Sequence, residues 1–452
     1  MMKRSPWQEE VLAAGELYAV GGAVRDALMG RAPGEEDFLV RGLTPERLMA
    51  ILGKHGKVAL VGKSFGVFKF RPAAGGHAVD VAFPRRELST GPGHRDFDVA
   101  FDPSLPVEAD LGRRDFTMNA VARNLADGSL VDPHGGRRDI ERRVVRMIFG
   151  AAFAEDALRI LRGIRLAARL GFDIEKKTLA AMARDSALLQ TLSAERVQEE
   201  LNKLLSECDR PSVGLERMYE TGALAIVLPE LARAHGVEQN EYHPDDVFHH
   251  SVKSCDNAPR DNLLVRWAAL LHDVGKVDKK QVITEEGAEP RVVFYGHEKT
   301  SAEMTGAVLA RLRFAGDFRR RCVHLVAEHM FYYQPEWKRS TLRRFIRTVG
   351  PENLDDLFLL RRADLLSREL GGELPGLDDL RRRIQQELDA EHAFKVSDLA
   401  VDGQDVMRVL GLGEGERVGT ILEALFERVL DEPRLNQRET LLAMMEKDFG
   451  GK

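Results

Sequence analysis

The stretch from Glu16 to Val40, ELYAVGGAVRDALMGRAPGEEDFLV, constrains the fold of this chain more than any other. A short apolar run, Leu17 to Val20, stops at Gly21-Gly22 and gives way to Val24-Arg25-Asp26-Ala27-Leu28-Met29, whose spacing is helical. Gly30 and a second β-type run, Phe38 to Val40, follow, so the pattern predicts strand, glycine turn, helix, strand. Paired glycines at a strand-to-helix turn let the backbone approach a phosphate chain, whose charge the helix N-terminus favours. Glu35, Glu36 and Asp37 stand just before the second strand, and the two-residue period of a strand puts Glu35 and Asp37 on one side. Two carboxylates beside a phosphate cradle point to a Mg²⁺-nucleotide site, although a plain turn with solvated acids fits the same residues.

Composition sets the outer limits. At 452 residues the chain exceeds what one core holds, so three or four domains are expected, and 44% hydrophobic with 31% charged residues is ordinary for a globular protein. Cys208, Cys255 and Cys322 lie far apart, which excludes a disulfide framework or Cys-rich zinc module and fits a reducing compartment, with the cytoplasm as the expected location. No apolar run approaches the ~20 residues of a membrane span, so no membrane partner is expected. A net charge of −6 argues against a surface that is basic all round; contact with nucleic acid would use part of it.

Further along, Thr44 to Leu52 opens with a helix cap and Lys57 to Arg71 alternates like paired strands around Gly62 and Gly66, so the first domain reads as mixed α/β. A third strand, His77 to Phe83, carries Asp80 among apolar neighbours. A buried acid needs a partner, which a metal shared with Glu35 and Asp37 supplies; an outward-pointing Asp on an edge strand is the alternative. Ser89 to His94 reads as a loop. Arg113, Arg114, Asp115 and Asn119, read as lying at a helix start, suit triphosphate and ribose contacts.

GGAVRD at Gly21 to Asp26, the acid-x-acid of Glu35 and Asp37, RRDFTMNA at Arg113 to Ala120 and DPHGGRRDI at Asp132 to Ile140 resemble the class II tRNA nucleotidyltransferase and bacterial poly(A) polymerase family. Glu155-Asp156-Ala157-Leu158-Arg159 looks like that family's EDxxR base-selecting motif, and Glu195 to Leu201 like its ERVxxEL helix. The family usually has Asp-x-Asp where this chain has Glu35 and Asp37, and the extra methylene shifts a Mg²⁺ ligand by about an ångström. The resemblance implies that Gly21, Gly22, Arg25, Arg114, Asp115, Asn119, Asp156 and Arg159 bind the nucleotide, that Glu35 and Asp37 hold Mg²⁺, and that Asp80 is a third ligand or base.

The base-selecting motif also makes sense physically. A helix from Phe153 to Leu170 brings Asp156 and Arg159 onto one face. Asp accepts and Arg donates hydrogen bonds, so the pair matches the amino donor and ring-nitrogen acceptor that cytosine and adenine share, admitting CTP and ATP over UTP and GTP.

From Ser186 to Glu230 the pattern is helical, and then six of the 13 histidines fall between His235 and His297. His250, the adjacent pair His272-Asp273, and Asp364 resemble the metal site of the HD phosphohydrolase superfamily. The resemblance implies that these four hold one divalent ion, with His297 and His329 binding a second metal or the phosphate. Imidazole ligands favour Ni²⁺, Co²⁺ or Mn²⁺, whereas carboxylates alone favour Mg²⁺. Gly376 to Lys452 is helical again and resembles the tail that contacts the tRNA elbow in relatives.

The expected architecture is α+β: a mixed nucleotidyltransferase head (1–148), a helical neck and body (149–238), a helical HD domain (239–372) and a helical tRNA-binding tail (373–452). The expected function is addition of C and A from CTP and ATP to tRNA 3′ ends, with HD phosphatase or cyclic phosphodiesterase activity. A poly(A) polymerase or a partial CC- or A-adding enzyme shares these motifs, and an HD phosphohydrolase with an inactive, RNA-binding head is the reading from another class.

Overall fold

Alternation along the strands builds the first part of the molecule. In the computed structural model, residues 4–32, 34, 36–61, 66–75, 77–89, 97–239, 244–284, 289–368, 375–390 and 393–450 are described, and the chain forms two units, Met1–Ala232 and Arg233–Lys452. Glu35 lies outside the described residues, as do residues 90–94 of the loop expected over Ser89 to His94, whose first residue instead ends a strand.

Among the described residues nine strands run before position 132: β1 (Glu16–Val20), β2 (Asp37–Arg41), β3 (Gly56–Val61), β4 (Val67–Pro72), β5 (Val79–Ala82), β6 (Arg85–Ser89), β7 (Phe97–Phe101), β8 (Ala122–Asn124) and β9 (Leu130–Val131). Seven form one sheet in the order β3-β4-β5-β2-β1-β8-β9, antiparallel except where β2 and β5 run parallel, and β6 pairs with β7 separately. Leu17, Phe38, Val40, Phe68, Phe70 and Val81 join one core with Trp7 and Val11 of α1 (Pro6–Ala14). Leu48, Ile51 and Leu52 of α3 (Pro45–His55) belong to the same core, and Thr44 caps α3 by accepting the Arg47 N–H. Tyr18, Val20 and Leu39 turn the other way and pack with Ala120, Ala122 and with Val107 and Leu111 of α4 (Val107–Leu111). Between α1 and α3 in the chain, α2 (Gly22–Leu28) follows β1 across the glycine turn.

Two local expectations give way. The helix expected over 153–170 is two, α6 (Ala152–Glu155) and α7 (Leu158–Leu170), after α5 (Gly136–Glu141). Asp156 between them is extended (φ −143°, ψ 100°), and its carboxylate accepts the Leu158 N–H, a local bond that competes with the helix. Arg113 to Asn119 is likewise no helix start: it is a turn leading into a 3₁₀ turn at Thr117–Asn119, because the Asp115 carboxylate takes the Phe116 N–H and the Asn119 amide.

The rest of the first unit is helical: α8 (Lys176–Asp185), α9 (Ala194–Glu207), α10 (Pro211–Glu220), α11 (Ala223–Val227) and α12 (Pro229–Ala232), with one two-residue parallel pair, β10 (Val144–Val145) and β11 (Asp173–Ile174). In the second unit come α13 (Val247–Asn257), α14 (Leu263–Leu271), α15 (Lys276–Lys279), α16 (His297–Arg311), α17 (Gly316–Glu328), α18 (Arg339–Val349) and α19 (Leu354–Ser367). A small hairpin, β12 (Gln281–Ile283) with β13 (Arg291–Val293), interrupts them. After α20 (Pro375–Asp389), α21 (Gly403–Leu410), α22 (Glu416–Asp431) and α23 (Arg438–Phe449) close over their own core, with Val406, Leu425, Phe426, Leu441 and Met445 at its centre. Buried Arg343 joins three of these elements, pairing with Glu387 at 2.7 Å and donating to the Leu430 and Asp431 carbonyls at the end of α22. Removing one member of such a buried pair costs about 3–5 kcal/mol. Among the described residues no helix is long and apolar enough to cross a membrane.

Candidate functional site

The parallel register of β2 and β5 sets Asp37 opposite Asp80. In-register neighbours share a face, and Asp37 precedes Leu39 by two residues as Asp80 precedes Ala82, so both carboxylates stand on the side of the α4 core. Asp80 is not the buried, partnerless acid that its apolar strand implies: its side chain is 43% accessible and Lys69 of β4 lies 3.7 Å away. Gly21 has φ +75°, and a Cβ there would meet Arg114 Nη1 at 3.1 Å and Asp37 Oδ2 at 3.6 Å. The glycine therefore serves two needs, the left-handed turn and the approach of an arginine and a carboxylate to one point.

Gly21, Asp37 and Arg114 line one side of a cavity of about 1340 Å³, which continues past Arg113, Asp115 and Asn119 to Asp156, Arg159, Arg162, Arg196 and Lys203. Its polar lining is braced from behind. Arg25, buried, donates to Asp26 and to the Asn119 side-chain oxygen, each at 2.8 Å. Arg113 and Arg114 both reach the fully buried Asp110. Burial alone would push the Asp115 carboxyl up, but Arg162 at 2.8 Å, the Asn119 amide and the Phe116 N–H outweigh it and hold it below the usual range, so Asp115 is an anion. A wall so rich in guanidinium suits a polyphosphate.

Asp156 and Arg159 both face the cavity, though not as an i,i+3 pair on one helix. Arg159 donates to the Arg113 and Ala152 carbonyls at 2.8 and 3.2 Å, which ties it to the arginine turn. Asp156 accepts from Arg196 at 3.1 Å through both oxygens, so the ERVxxEL helix reaches back 40 residues to orient it.

In the second unit four histidines and two aspartates converge in the interior. His250 (α13), His272 and Asp273 (after α14), His297 (start of α16), His329 (end of α17) and Asp364 (α19) are all buried. Each imidazole is anchored through Nδ1: His272 to the Ala269 carbonyl (2.8 Å), His297 to Phe294 (2.9 Å), His329 to Val326 (2.6 Å) and His250 to Ser367 Oγ (2.9 Å). Ser367 spends its own proton on the Asp364 carbonyl, so His250 Nδ1 is the donor in their bond. Every Nε2 lone pair is thereby aimed inward, the arrangement that metal-binding histidines use.

The inner atoms fit a cation. His250 Nε2 lies 3.2 Å from His272 Nε2, 3.3 Å from Asp273 Oδ2 and 3.2 Å from Asp364 Oδ1. On the far side Asp273 Oδ1 faces His297 Nε2 at 3.2 Å and His329 Nε2 at 3.6 Å, and none of these three buried atoms has a hydrogen-bond partner. Buried polar atoms without partners are costly, and two sets of donors sharing Asp273 are what one or two metal ions satisfy. Desolvation pushes the His250 pKa down, but the two carboxylates outweigh it and raise it, while at His329 desolvation wins and lowers it. Both aspartates are held well below the usual carboxylate range, Asp273 by His272 and Lys276 and Asp364 by His250 and Arg368, against the opposing pull of burial.

Sequence reasoning missed the supporting residues Asp110, Arg162, Lys276, Ser367, Arg361 and Arg368, and it placed Arg196 in a motif without its partner Asp156. Most carry a signal in their spacing. Arg162 follows Arg159 by three, Lys276 follows Asp273 by three and donates to it at 2.6 Å, and Arg361 and Arg368 flank Asp364 at three and four residues. A further grouping, His235, Asp246 and His249, is accounted for by helix capping, since Asp246 accepts the His249 and Gly236 N–H groups at the start of α13.

Three sequence families match: "Poly A polymerase head domain" over residues 17–146, "Probable RNA and SrmB- binding site of polymerase A" over 171–234, and "HD domain" over 240–369. The multifunctional CCA protein of Xanthomonas campestris pv. campestris (strain B100) is 37% identical over 424 residues, covering 90% of this chain and 98% of that protein. That of Aromatoleum aromaticum is 41% identical over 359 residues, 78% of this chain and 80% of that one. Among solved structures, the Bacillus stearothermophilus CCA-adding enzyme in complex with CTP superposes with a TM-score of 0.69 at 25% identity, covering 98% of each chain.

Proposed function

Since the chain belongs to the multifunctional CCA protein family, we propose that it adds C and A residues from CTP and ATP to the 3′ ends of tRNA in the cytoplasm and carries a second, metal-dependent phosphohydrolase centre. The observation that carries the first activity is the register of Asp37 with Asp80 beside the glycine turn, at the mouth of an arginine-lined cavity. Glu35 and Asp37 hold Mg²⁺, with Asp80 as third ligand or base. Bound there, the ions supply charge neutralisation of the triphosphate and activation of the incoming 3′-hydroxyl. Gly21 and Gly22 let the phosphates approach, and Arg25, Arg114, Asp115 and Asn119 orient the triphosphate and ribose. Asp156, steadied by Arg196, accepts from the exocyclic amino group, and Arg159 donates to the ring acceptor.

In the histidine-rich centre, His250, His272, Asp273 and Asp364 hold one divalent ion of the Ni²⁺, Co²⁺ or Mn²⁺ type, and His297 and His329 hold a second with Asp273 or bind the phosphate. A divalent ion held by these residues would supply activation of water for attack on a phosphate near neutral pH. The inward Nε2 atoms and the partnerless Asp273 Oδ1 support this reading. We divide the chain into head (1–148), neck and body (149–238), HD domain (239–372) and tail (373–452), the last contacting tRNA. Purified protein is incubated with tRNA lacking its CCA end and each labelled NTP in turn, and products are resolved on a sequencing gel. Addition of two C and one A supports the proposal. Runs of A make it a poly(A) polymerase, CC or A alone a partial enzyme, and no addition by a folded protein leaves only the phosphohydrolase.

A further inference from the structure

Asp364 is held more heavily than a metal ligand needs. Its Oδ1 faces His250, while Arg368 donates to both its oxygens (2.8–3.1 Å) and Arg361 donates to Oδ2 at 2.7 Å. The two arginines sit seven residues apart on α19, one turn to either side of Asp364, and so lie along one stripe of the helix. Arg361 is further fixed over the Phe331 ring, 5.7 Å from its centroid, in the segment that follows His329. Both side chains stay partly open to solvent, 15% and 18%, while Asp364 is 2% accessible. A guanidinium has five N–H groups in a fixed fork; one or two of them on Asp364 leave others for a second anion.

Charge points the same way. The carboxylates at the inner atoms are Asp273 and Asp364, and they are held by three cations, Lys276, Arg361 and Arg368; Glu298 lies on the outer side, 3.8 Å from His297 Nδ1. Two acids against three cations leave positive charge over before any metal. A divalent ion held by the histidines and aspartates adds to that surplus in a mostly buried site, which favours an anion that reaches both the ion and the arginines.

We propose that Arg361 and Arg368 are the phosphate-binding residues of the histidine-rich centre, gripping a substrate phosphate by their outer N–H groups while their inner ones keep Asp364 in place. The inference rests on the metal-hydrolase reading above and adds to it the residues that recognise the phosphate. Arginine rather than lysine suits the task, because the fork can bridge a ligand carboxylate and a phosphate at once.

The test uses the full chain with Co²⁺ and inorganic phosphate as probes, comparing wild type with Arg361→Gln, Arg368→Gln and the charge-keeping Arg361→Lys and Arg368→Lys. Co²⁺ affinity is read from its visible absorption, phosphate affinity by calorimetry on the Co²⁺-loaded protein, and KM and kcat with a nucleoside monophosphate. The expected result is Co²⁺ affinity within about threefold of wild type and, for each Gln variant, phosphate affinity about 10- to 100-fold lower with a matching rise in KM; the Lys variants recover part of the loss. Co²⁺ affinity and phosphate affinity falling together, in Gln and Lys variants alike, would mean that the arginines act only through Asp364, and the proposal fails. Hydrolysis by wild type with variants unchanged in phosphate affinity and KM also overturns it, and leaves the phosphohydrolase reading standing. If Co²⁺-loaded wild type neither binds phosphate nor hydrolyses the monophosphate, that reading falls and this one with it.

Discussion

The head cavity and the histidine-rich centre, for each of which we propose a cation and a phosphate, are built in opposite ways. In the head, Asp37 is exposed and Asp80 is half open beside Lys69, the candidate donors are oxygens only, and the order lies in the surrounding arginines, Arg114 braced on buried Asp110 and Arg159 on the Arg113 carbonyl. In the second unit the ligands themselves are buried and each ring is locked by a bond on its outer nitrogen. An exposed pair of hard oxygens suits Mg²⁺, which keeps several waters and arrives with its nucleotide. A dry cluster of imidazoles suits a resident, softer ion. The difference teaches that under the proposed function the two sites would select different ions, because their donors and their access to water differ.

The sharpest way to break the comparison is to remove one carboxylate from each site. Asp37→Ala is expected to lower nucleotide addition by about 10³-fold and leave phosphate release intact, and Asp273→Ala to do the reverse. Both activities are assayed on both variants across Mg²⁺, Mn²⁺, Co²⁺ and Ni²⁺. A single variant that abolishes both activities while still folded would show that the sites are not separate.

A smaller effect is expected from the base-selecting residues. Arg159→Ala should cost roughly 10- to 100-fold in the preference for CTP and ATP over UTP and GTP, with the Mg²⁺ dependence unchanged. Arg196→Ala should act in the same direction, through the Asp156 that it holds. Competition between labelled nucleotides measures this; unchanged selectivity in Arg159→Ala removes the protein-template idea.

Ser367→Ala probes the anchoring that distinguishes the second site. With the acceptor of His250 Nδ1 gone, metal affinity should drop about tenfold or somewhat more, and nucleotide addition should not change. Equilibrium metal titration decides it, and unaltered affinity would mean that the outer bonds are incidental.

The smallest effect tests whether the two units melt separately. Burial opposes the ionised form of Asp246, but the His249 and Gly236 N–H groups and the His249 ring outweigh it and lower its pKa. Its contribution is therefore present above the unfolded carboxylate pKa of about 3.9 and is lost as pH falls through the lower folded value. Asp246→Ala should cost about 1 kcal/mol at pH 7, the usual worth of a helix cap, and nothing once both forms are protonated. Calorimetry should show this loss in one transition only; equal shifts in two transitions, or a loss that persists in acid, would contradict it.

Much of this was legible locally. The strand, glycine turn and helix from Glu16, the Thr44 cap and the β3–β4 pairing follow from periods and caps that act within a few residues. The family motifs were legible too, and the head, RNA-binding and HD families match where those motifs lie. The break at Asp156 was not: periodicity runs straight through it, and only the side chain's bonds to Leu158 and Arg196 show why the helix stops there. Asp80 stayed open between two readings for a related reason, since an apolar strand hides which of its residues meet a lysine on the neighbouring strand.

What the sequence by itself determined is therefore the set of local elements and the inventory of acids, arginines and histidines that chemistry requires. Tertiary structure alone decided that Asp37 lies opposite Asp80, that Arg196 reaches Asp156, and that four imidazoles from separate segments aim the same nitrogen at two aspartates. The physical reason is range. Periodicity and caps are local and can be read from neighbours, whereas strand register and side-chain convergence depend on which faces bury together, a property of the whole packed unit.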